Sequence, residues 1–308
     1  MLYTHNDSGD RARFFAVGPD GVTRTVYTLP GVQARDWEDL ARSPDERGRS
    51  CLWLGDIGDN RASRSNGILI HRVREPEPAA RAAVTTERPT DSRLRYPDGP
   101  HDAETLLVHP RTGRVYVVTK PLAGAVGVYA APVQLDPSRP NALSLVARFS
   151  PRSTGTPGGP DLGPLANVLV TGGDIAPDGS RVAVRTYTDV YEWAVPGDDV
   201  AAAFNGAPEV SPLPPTRQGE GLGYSRDGTA LLTSSEGVGA PVYGLRRSTP
   251  PPSVAASSSA ARTTRADVPQ PADAGTSVSA RAAALLAAAG VACGLLIMLA
   301  GRRNRVRS

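Results

Sequence analysis

The sequence predicts an all-β fold, a β-propeller of five four-stranded blades, or of six if one blade is degenerate. Three observations lead to this prediction. A unit of short β-rich runs recurs along residues 1–247, turns rich in Asp, Gly and Pro separate the runs, and Gly and Pro (32 and 29 of 308 residues) are more frequent than average. Another antiparallel sandwich or barrel is the alternative that these patterns leave open.

The first unit begins in the middle of the repeat. Residues 2–7 match the end of a second strand, residues 13–17 a third strand and residues 22–29 a fourth. The innermost strand is missing, so the first blade is incomplete and would expose a sheet edge. Residues 1–10 also lack a basic region followed by an apolar run. We therefore expect the natural protein to begin upstream, with a signal peptide and the missing strand.

A tripeptide ending in Glu marks the inner strand of three later units. It occurs at residues 36–38, 102–104 and 218–220, and a turn position follows six residues after each Glu. A fourth unit has its turn at Pro-Asp-Gly, residues 177–179. Pro sets φ near the value that a turn requires and Gly tolerates positive φ, so these segments predict hairpins.

Short β-rich runs follow each of these turns. The sequence predicts second strands at residues 51–56, 115–120, 182–187 and 230–236. It predicts third strands at residues 67–73, 125–130, 190–195 and 241–245, and a fainter fourth strand at 142–149. Repeated units of three to four short strands are typical of propeller blades, so residues 1–247 are interpreted as one propeller domain.

The C-terminal part of the chain differs in composition. Residues 248–281 are rich in Pro, Ser and Ala, which predicts a disordered stalk. Residues 282–300 contain no charge over 19 residues, enough for a transmembrane helix, with a buried Ala-rich helix as the alternative. Arginines precede the span and fill the tail 301–308. We therefore expect a single-pass protein of the cell membrane, with the propeller extracytoplasmic and the C-terminus cytoplasmic.

The net charge of +3 is unevenly distributed. Residues 246–308 carry +7, whereas residues 1–245 carry −4. A mildly acidic folded part argues against nucleic acid as a partner. The two cysteines, Cys51 and Cys293, lack metal-type spacing and are interpreted as structural thiols. The chain also lacks GxSxG, P-loop and HExxH motifs.

Candidate site residues come from the ends of the predicted strands. The repeat register places Glu38, Glu104 and Glu220 in a ring around the central channel, with Thr171 at the equivalent position of the fourth unit. Further polar side chains near this ring are Asp7, Asp56, Lys120, Asp174, Arg185 and Glu236. Carboxylates that converge in a confined space repel one another, so they require protonation, pairing with Lys or Arg, or a cation.

Two interpretations of the ring stay open. In the first, a Ca²⁺ ion or another divalent cation binds to oxygen ligands; the candidate metal ligands are Glu38, Glu104, Glu220, Asp7 and Asp56. In the second, the carboxylates accept hydrogen bonds from backbone amides of the neighbouring blade, and Lys120 and Arg185 neutralise the remaining charge. Sequence reasoning assigns no catalytic residue.

Several segments carry a family resemblance. They are THNDSGD, DWEDLA, GDIGDN, YPDGPHDAETLLVHP, GGDIAPDGSRVAVRTYT and QGEGLGYSRDG. Over residues 2–245 the chain resembles uncharacterised bacterial propeller proteins that are secreted or membrane-anchored. Their plan is similar to the wider group of WD40-like, SMP-30-like and phytase-like propellers. In such relatives, acidic and amide side chains at the inner strand ends hold a divalent metal, although no complete ligand or catalytic set matches this chain.

Three functions follow as hypotheses. The first is a membrane-anchored module that binds an envelope protein, a glycan or a small ligand through its acidic channel. The alternative is a divalent-metal-dependent hydrolase, either phytase-like or an SMP-30-like esterase or lactonase. The third is a purely structural envelope protein. A divalent ion bound in the channel would favour the hydrolase, and the absence of a ligand-sized pocket would favour the structural role.

Overall fold

The computed structural model describes residues 1–77 and 82–247 and folds them into five sheets, arranged as a five-bladed β-propeller. This confirms the predicted all-β fold with five blades. The predicted stalk 248–281, transmembrane helix 282–300 and tail 301–308 lie outside the described residues. Among the described residues, no helix is both long and apolar enough to cross a bilayer.

Blade one starts at the N-terminus. Its antiparallel strands are β1 (Leu2–His5), β2 (Arg13–Val17) and β3 (Thr23–Thr28), with β1 at one edge of the sheet. Each strand overlaps the segment predicted for it. The side chains of β2 alternate between buried and half-buried positions, which is the pattern of a strand with one face on the core.

Blades two and three follow along the chain. Blade two contains β4 (Trp37–Pro44), β5 (Ser50–Asp56) and β6 (Ile68–Arg74). Next come β7 (Ala83–Thr85), which pairs in parallel with β3, and β8 (Thr90–Arg95), which completes blade two. Blade three contains β9 (Ala103–Val108), β10 (Val115–Thr119), β11 (Val126–Ala130) and β13 (Ser144–Phe149). Strand β12 (Asn141–Ala142) lies between β11 and β13 in the chain but pairs in parallel with β8 of blade two.

Blades four and five complete the described part. A 3₁₀-helix at Gly163–Asn167 leads into blade four, which contains β14 (Val170–Ile175), β15 (Arg181–Thr186), β16 (Asp189–Ala194) and β17 (Glu209–Pro212). The short helix α1 (Val200–Ala203) lies between β16 and β17, and the side chain of Asp199 caps it. Blade five contains β18 (Gly219–Tyr224), β19 (Ala230–Ser235) and β20 (Tyr243–Arg246).

The hydrophobic core lies between successive blades. One cluster joins Val118 and Val128 of blade three to Val184 and Trp193 of blade four. Similar clusters join blades one and two, two and three, and four and five. Because blades cover both faces of the central sheets, every residue of β9, β10 and β11 is buried. The apolar runs of these strands reflect this double burial.

The predicted hairpin turns have the expected chemistry. Gly179 and Gly228 both adopt φ of +70°, a region that favours glycine. The Asp before each of them accepts a hydrogen bond from a backbone N–H two residues on, Asp178 from Ser180 at 2.9 Å and Asp227 from Thr229 at 3.1 Å. These turns fix the length of each inner hairpin and therefore the register of the strands that reach the channel.

Candidate functional site

The inner strands β4, β9, β14 and β18 each have a β-bulge near the start of the strand, and in β18 both Glu220 and Gly221 lie opposite Ser234. In β4 the pairing passes from Trp37 to Asp39, so Glu38 is left without a partner in β5. A bulge leaves one residue outside the ladder and redirects its side chain. The register therefore makes four bulge positions equivalent: Glu38, Glu104, Thr171 and Glu220.

Three carboxylates meet at the first of these bulges. One oxygen atom from each of Asp7, Asp36 and Glu38 lies within 4.8 Å of the other two. Asp7 follows β1, whereas Asp36 and Glu38 flank the first residue of β4. The predicted ligands Asp7 and Glu38 are thus brought together. Sequence reasoning left out Asp36, although it opens the repeated tripeptide.

The carboxyl groups of Asp7, Asp36 and Glu38, called the acid trio below, all have raised pKa values. Burial, together with the charge of Asp7, raises the pKa of Asp36 to about 6. Burial followed by the charges of Glu104 and Asp7 raises the pKa of Glu38 well above its usual range. The pKa of Asp7 is also raised, first by burial and then by the neighbouring Glu236. A divalent cation would relieve this repulsion by replacing the protons.

Glu104 lies at the second bulge and pairs with the only lysine of the chain. Lys120 donates from Nζ to Glu104 Oε1 and, at 2.9 Å, to the Tyr187 hydroxyl. The ammonium also lies 4.9 Å from the centroid of the Tyr187 ring. Glu104 Oε2 is buried and has no hydrogen-bond partner among the described residues. Burial raises the pKa of Glu104 to about 7, although the charge of Lys120 lowers it.

Glu220 and Glu236 extend the acidic site through blade five. Burial raises the pKa of Glu220 well above its usual range, and the charges of Glu104 and Glu236 add to the rise. Glu236 follows β19 and is exposed, with the Gln218 amide 3.5 Å from its carboxylate. The site therefore changes from buried acids near Lys120 to exposed acids at its mouth.

Within the described residues Arg185 forms no ion pair with a carboxylate of the ring, although the charge of Glu220 acts on it. Its guanidinium donates to the Thr233 hydroxyl and to carbonyl oxygens of blades four and five, those of Thr186, Tyr187, Gly221 and Ser234. Only 1% of Arg185 is exposed, and burial lowers its pKa to about 10. Its hydrogen bonds join two blades, a role that the second interpretation did not include.

Asp174 and Asp39 form matching clasps between blades. Asp174 accepts from the backbone N–H of Ile175 and, across to blade five, from that of Tyr224, both at 2.8 Å. Asp39 accepts in the same way from the next residue in β4 and, at 2.9 Å, from Leu106 of blade three. Bonds from carboxylates to neighbouring blades therefore exist, and aspartates make them; within residues 1–77 and 82–247 none is found for the bulge glutamates. Sequence reasoning did not single out Asp39.

Asp56 lies beside the acid trio and has other partners. Its Oδ1 accepts from Arg64 Nη1 at 2.7 Å, and its carboxylate accepts from the backbone N–H groups of Arg35 and Asp36 at 3.1 and 3.2 Å. Only 1% of the Asp56 side chain is exposed. It thus holds the segment that carries Asp36 and lies outside the trio.

Comparison with known proteins supplies only distant likenesses. No protein-family model and no curated protein matches the chain. The periplasmic gluconolactonase of Pseudomonas aeruginosa has a TM-score of 0.42 and 13% identity, over 80% of this chain and 66% of that chain. A gluconolactonase from Xanthomonas campestris has a TM-score of 0.38 and 13% identity, with coverages of 73% and 63%.

A third solved structure is similar to the same degree. The putative 6-phosphogluconolactonase from Bacteroides uniformis has a TM-score of 0.35 and 14% identity, over 72% of this chain and 57% of that chain. The chain spans between 57% and 66% of the length of these three proteins. Such low scores and identities do not transfer the activity of those proteins to this chain.

Proposed function

We propose that the chain is a divalent-cation-dependent hydrolase of small esters or lactones, with its active site at the acidic channel. One observation carries this proposal: the acid trio adjoins a buried Glu104–Lys120–Tyr187 set that leaves one carboxylate oxygen without a partner. The acid trio fits a bound cation, and the Glu104–Lys120–Tyr187 set fits proton transfer.

The acid trio fits a hard divalent cation such as Ca²⁺. Such ions prefer carboxylate oxygens, and three oxygens within 4.8 Å of one another come from separate side chains, Asp7, Asp36 and Glu38. Asp7 is the most exposed of the three, so water or a substrate can approach from its side. When bound, the cation would polarise a carbonyl oxygen as a Lewis acid.

Glu104 is the proposed general base. Its pKa of about 7 suits proton transfer near neutral pH. Lys120 fixes Oε1, so Oε2 is left to accept the proton of a water molecule whose oxygen attacks the acyl carbon. The bond between the acyl carbon and the ester oxygen then breaks, and the proton passes to that oxygen. The products are a carboxylic acid and an alcohol, or one hydroxy acid from a lactone.

The charge of the site favours a neutral substrate. The carboxyl groups of the site are those of Asp7, Asp36, Glu38, Glu104, Glu220 and Glu236, and Lys120 is the ammonium among them. Two like charges about 6 Å apart repel by roughly 3 kcal/mol at an effective dielectric constant near 20. A phosphate ester would meet this repulsion at each carboxylate that is ionised. Esters and lactones would not, so the esterase or lactonase form is preferred over the phytase-like one.

The test uses the full chain after treatment with EDTA. We expect Ca²⁺ to raise the midpoint of thermal unfolding and to switch on hydrolysis of p-nitrophenyl acetate or a six-membered lactone, but not of p-nitrophenyl phosphate. Glu38→Gln should lose the thermal response. Glu104→Gln should keep it and lose hydrolysis by about 100-fold or more.

Glu46→Gln is the matched control, because Glu46 is an exposed acid of the β4–β5 turn that pairs with Arg72. It should behave as the wild type in both assays. The proposal fails if EDTA and Ca²⁺ leave thermal unfolding unchanged and neither ester nor lactone is hydrolysed under any divalent cation.

A binding module is the second candidate. Asp7 and Glu236 are exposed, so the acidic mouth is open to a ligand with a cationic or polyhydroxylated group. A Ca²⁺ response without hydrolysis of any of the substrates would favour this function.

For either candidate we propose an extracytoplasmic domain anchored through residues 282–300, because these 19 positions carry no charge. Protease added to intact cells should then release the domain by cleavage within residues 248–281.

A further inference from the structure

A cavity of about 630 Å³ lies beside blade two, apart from the acid trio. Its walls are the segment 31–35 before β4, the loop 63–67 before β6, and side chains of β6 and β8. The volume is within the range of sites for small molecules. None of the roles proposed for the channel uses this cavity.

The cavity is basic, in contrast to the channel. Arg35, Arg64 and Arg93 line it, together with the two acids Asp56 and Asp91. The Asp56 carboxylate forms an ion pair with Arg64 at 2.7 Å. Arg35 and Arg93 are exposed, and within residues 1–77 and 82–247 neither forms an ion pair; Arg93 donates only to the carbonyl of Asn66, at 3.3 Å. Two guanidinium groups are therefore available to an anion.

Two buried side chains in the wall have polar atoms without partners. Arg64, whose side chain is 4% exposed, donates from Nη1 to Asp56 and to the carbonyl of Gly58, and its Nε has no partner in the part of the chain that the structure describes. His71, whose side chain is 2% exposed, lies with Nδ1 2.7 Å from Asp91 Oδ1, and its Nε2 likewise has no partner there. Buried polar groups without partners are rare, because each costs free energy.

The chemistry of these atoms defines a ligand. A carboxylate only accepts hydrogen bonds, so the contact with Asp91 places a proton on Nδ1 of His71. The other ring nitrogen, Nε2, accepts from a hydroxyl group when it carries no proton, whereas Arg35, Arg64 and Arg93 suit an anionic group. We propose that this cavity binds a small hydroxylated anion, with its carboxylate or phosphate on the arginines and a hydroxyl on His71.

The test measures binding by calorimetry to the full chain at low ionic strength, with glycerate, glycerol 3-phosphate and inorganic phosphate as probes. At least one of the two hydroxylated probes should bind, and the tighter of them identifies the anionic group. Inorganic phosphate should bind at least about tenfold more weakly, because it has no carbon-borne hydroxyl to meet His71. Equal binding of all three probes would overturn the role of His71.

Arg35 and Arg93 are exposed, so we expect their replacement to leave folding intact. Arg35→Gln and Arg93→Gln should each weaken binding by about tenfold or more. Arg139→Gln is the matched control, because Arg139 is 78% exposed and pairs with Asp136 on blade three. The proposal is overturned if no probe binds, or if Arg139→Gln weakens binding as much as the two cavity variants. Glu104→Gln should bind as the wild type does, so this result stands or falls separately from the proposed hydrolase.

Discussion

Gly58 lies so close to Glu38 that a β-carbon on residue 58 would come within 2.1 Å of Glu38 Oε1. The same β-carbon would come within 2.6 Å of Asp36 Oδ2. The backbone N–H of Gly58 also donates to the carbonyl of Asp36 at 3.2 Å. The loop after β5 therefore packs Gly58, which has no side chain, against the acid trio, and this leaves room for two carboxylates to converge.

Gly58→Ala should disturb the trio without changing any charge. The added methyl would push Glu38 and Asp36 apart, so the rise in unfolding midpoint on adding Ca²⁺ should fall to less than half of the wild-type value. Thermal unfolding with EDTA and with excess Ca²⁺ measures this. Gly244→Ala is the control, since its β-carbon would meet only Leu232 at an ordinary 3.8 Å. A wild-type response from Gly58→Ala would show that the trio does not bind the cation.

The stability of the cation-free chain should fall between pH 5 and pH 8. Burial raises the folded-state pKa of Asp36 to about 6 and that of Asp174 to about 7, above the ordinary 3.8. The folded state therefore binds more protons than the unfolded state in this range. The resulting stabilisation is complete below about pH 4 and is lost as the pH rises through 6 to 7.

Unfolding midpoints of the EDTA-treated chain at pH 5, 6, 7 and 8 measure this dependence. We expect a fall of several degrees across the range, and a smaller fall with Ca²⁺ present. Asp45 and Asp227 have pKa values lowered to about 2, so their contributions change only below about pH 4. Burial lowers the pKa values of His5 and His109, so these two groups act in the opposite direction below about pH 6.5 and reduce the fall there. A midpoint that rises with pH would contradict the raised pKa values.

Local patterns predicted the strands and turns because each depends on a few neighbouring residues. The Pro-Asp-Gly turn at 177–179 and the position of Glu104 six residues before a turn are examples. The parallel strands β7 and β12 were not predicted, since three and two residues carry no periodicity and their pairing depends on a strand far along the chain.

The contacts of the site residues could not be predicted from the spacing of residues in the sequence either. The repeat register found Glu38, but its meeting with Asp7 depends on the loop conformation after β1. Arg185 was expected to neutralise carboxylates because of its charge, yet the end of β15 and the bulge of β18 also place carbonyl oxygens within its reach. Asp39 follows Glu38 directly, and only the packing of β4 on β9 shows that it bonds to Leu106.

The Asp174 clasp should stabilise the domain without affecting cation binding. Asp174→Ala removes the acceptor of two backbone N–H groups, one of them on blade five, and should cost about 2–3 kcal/mol in the free energy of unfolding. Asp174→Asn keeps one acceptor oxygen and should cost less. Urea unfolding measures both. Equal stability of the Ala variant and the wild type, or loss of the Ca²⁺ response in the Asn variant, would contradict a purely structural clasp.

Replacing Arg185 should separate its structural role from any role as a counter-charge. Its guanidinium reaches four carbonyl oxygens and one hydroxyl of blades four and five through donors fixed in a plane. A lysine has the same charge but a single ammonium group, so it cannot reach all of these acceptors. If Arg185 serves only to balance the charge of Glu220, then Arg185→Lys should be nearly neutral.

We expect Arg185→Lys to lower the free energy of unfolding by about 3 kcal/mol, because it leaves buried carbonyl oxygens without donors. Arg185→Met should cost at least as much. Arg148→Lys is the control, since Arg148 lies on the exposed outer strand β13 and should change little. Urea unfolding of the three variants gives the comparison. A nearly unchanged Arg185→Lys beside a strongly destabilised Arg185→Met would show that charge, rather than the fixed set of donors, is what blades four and five require.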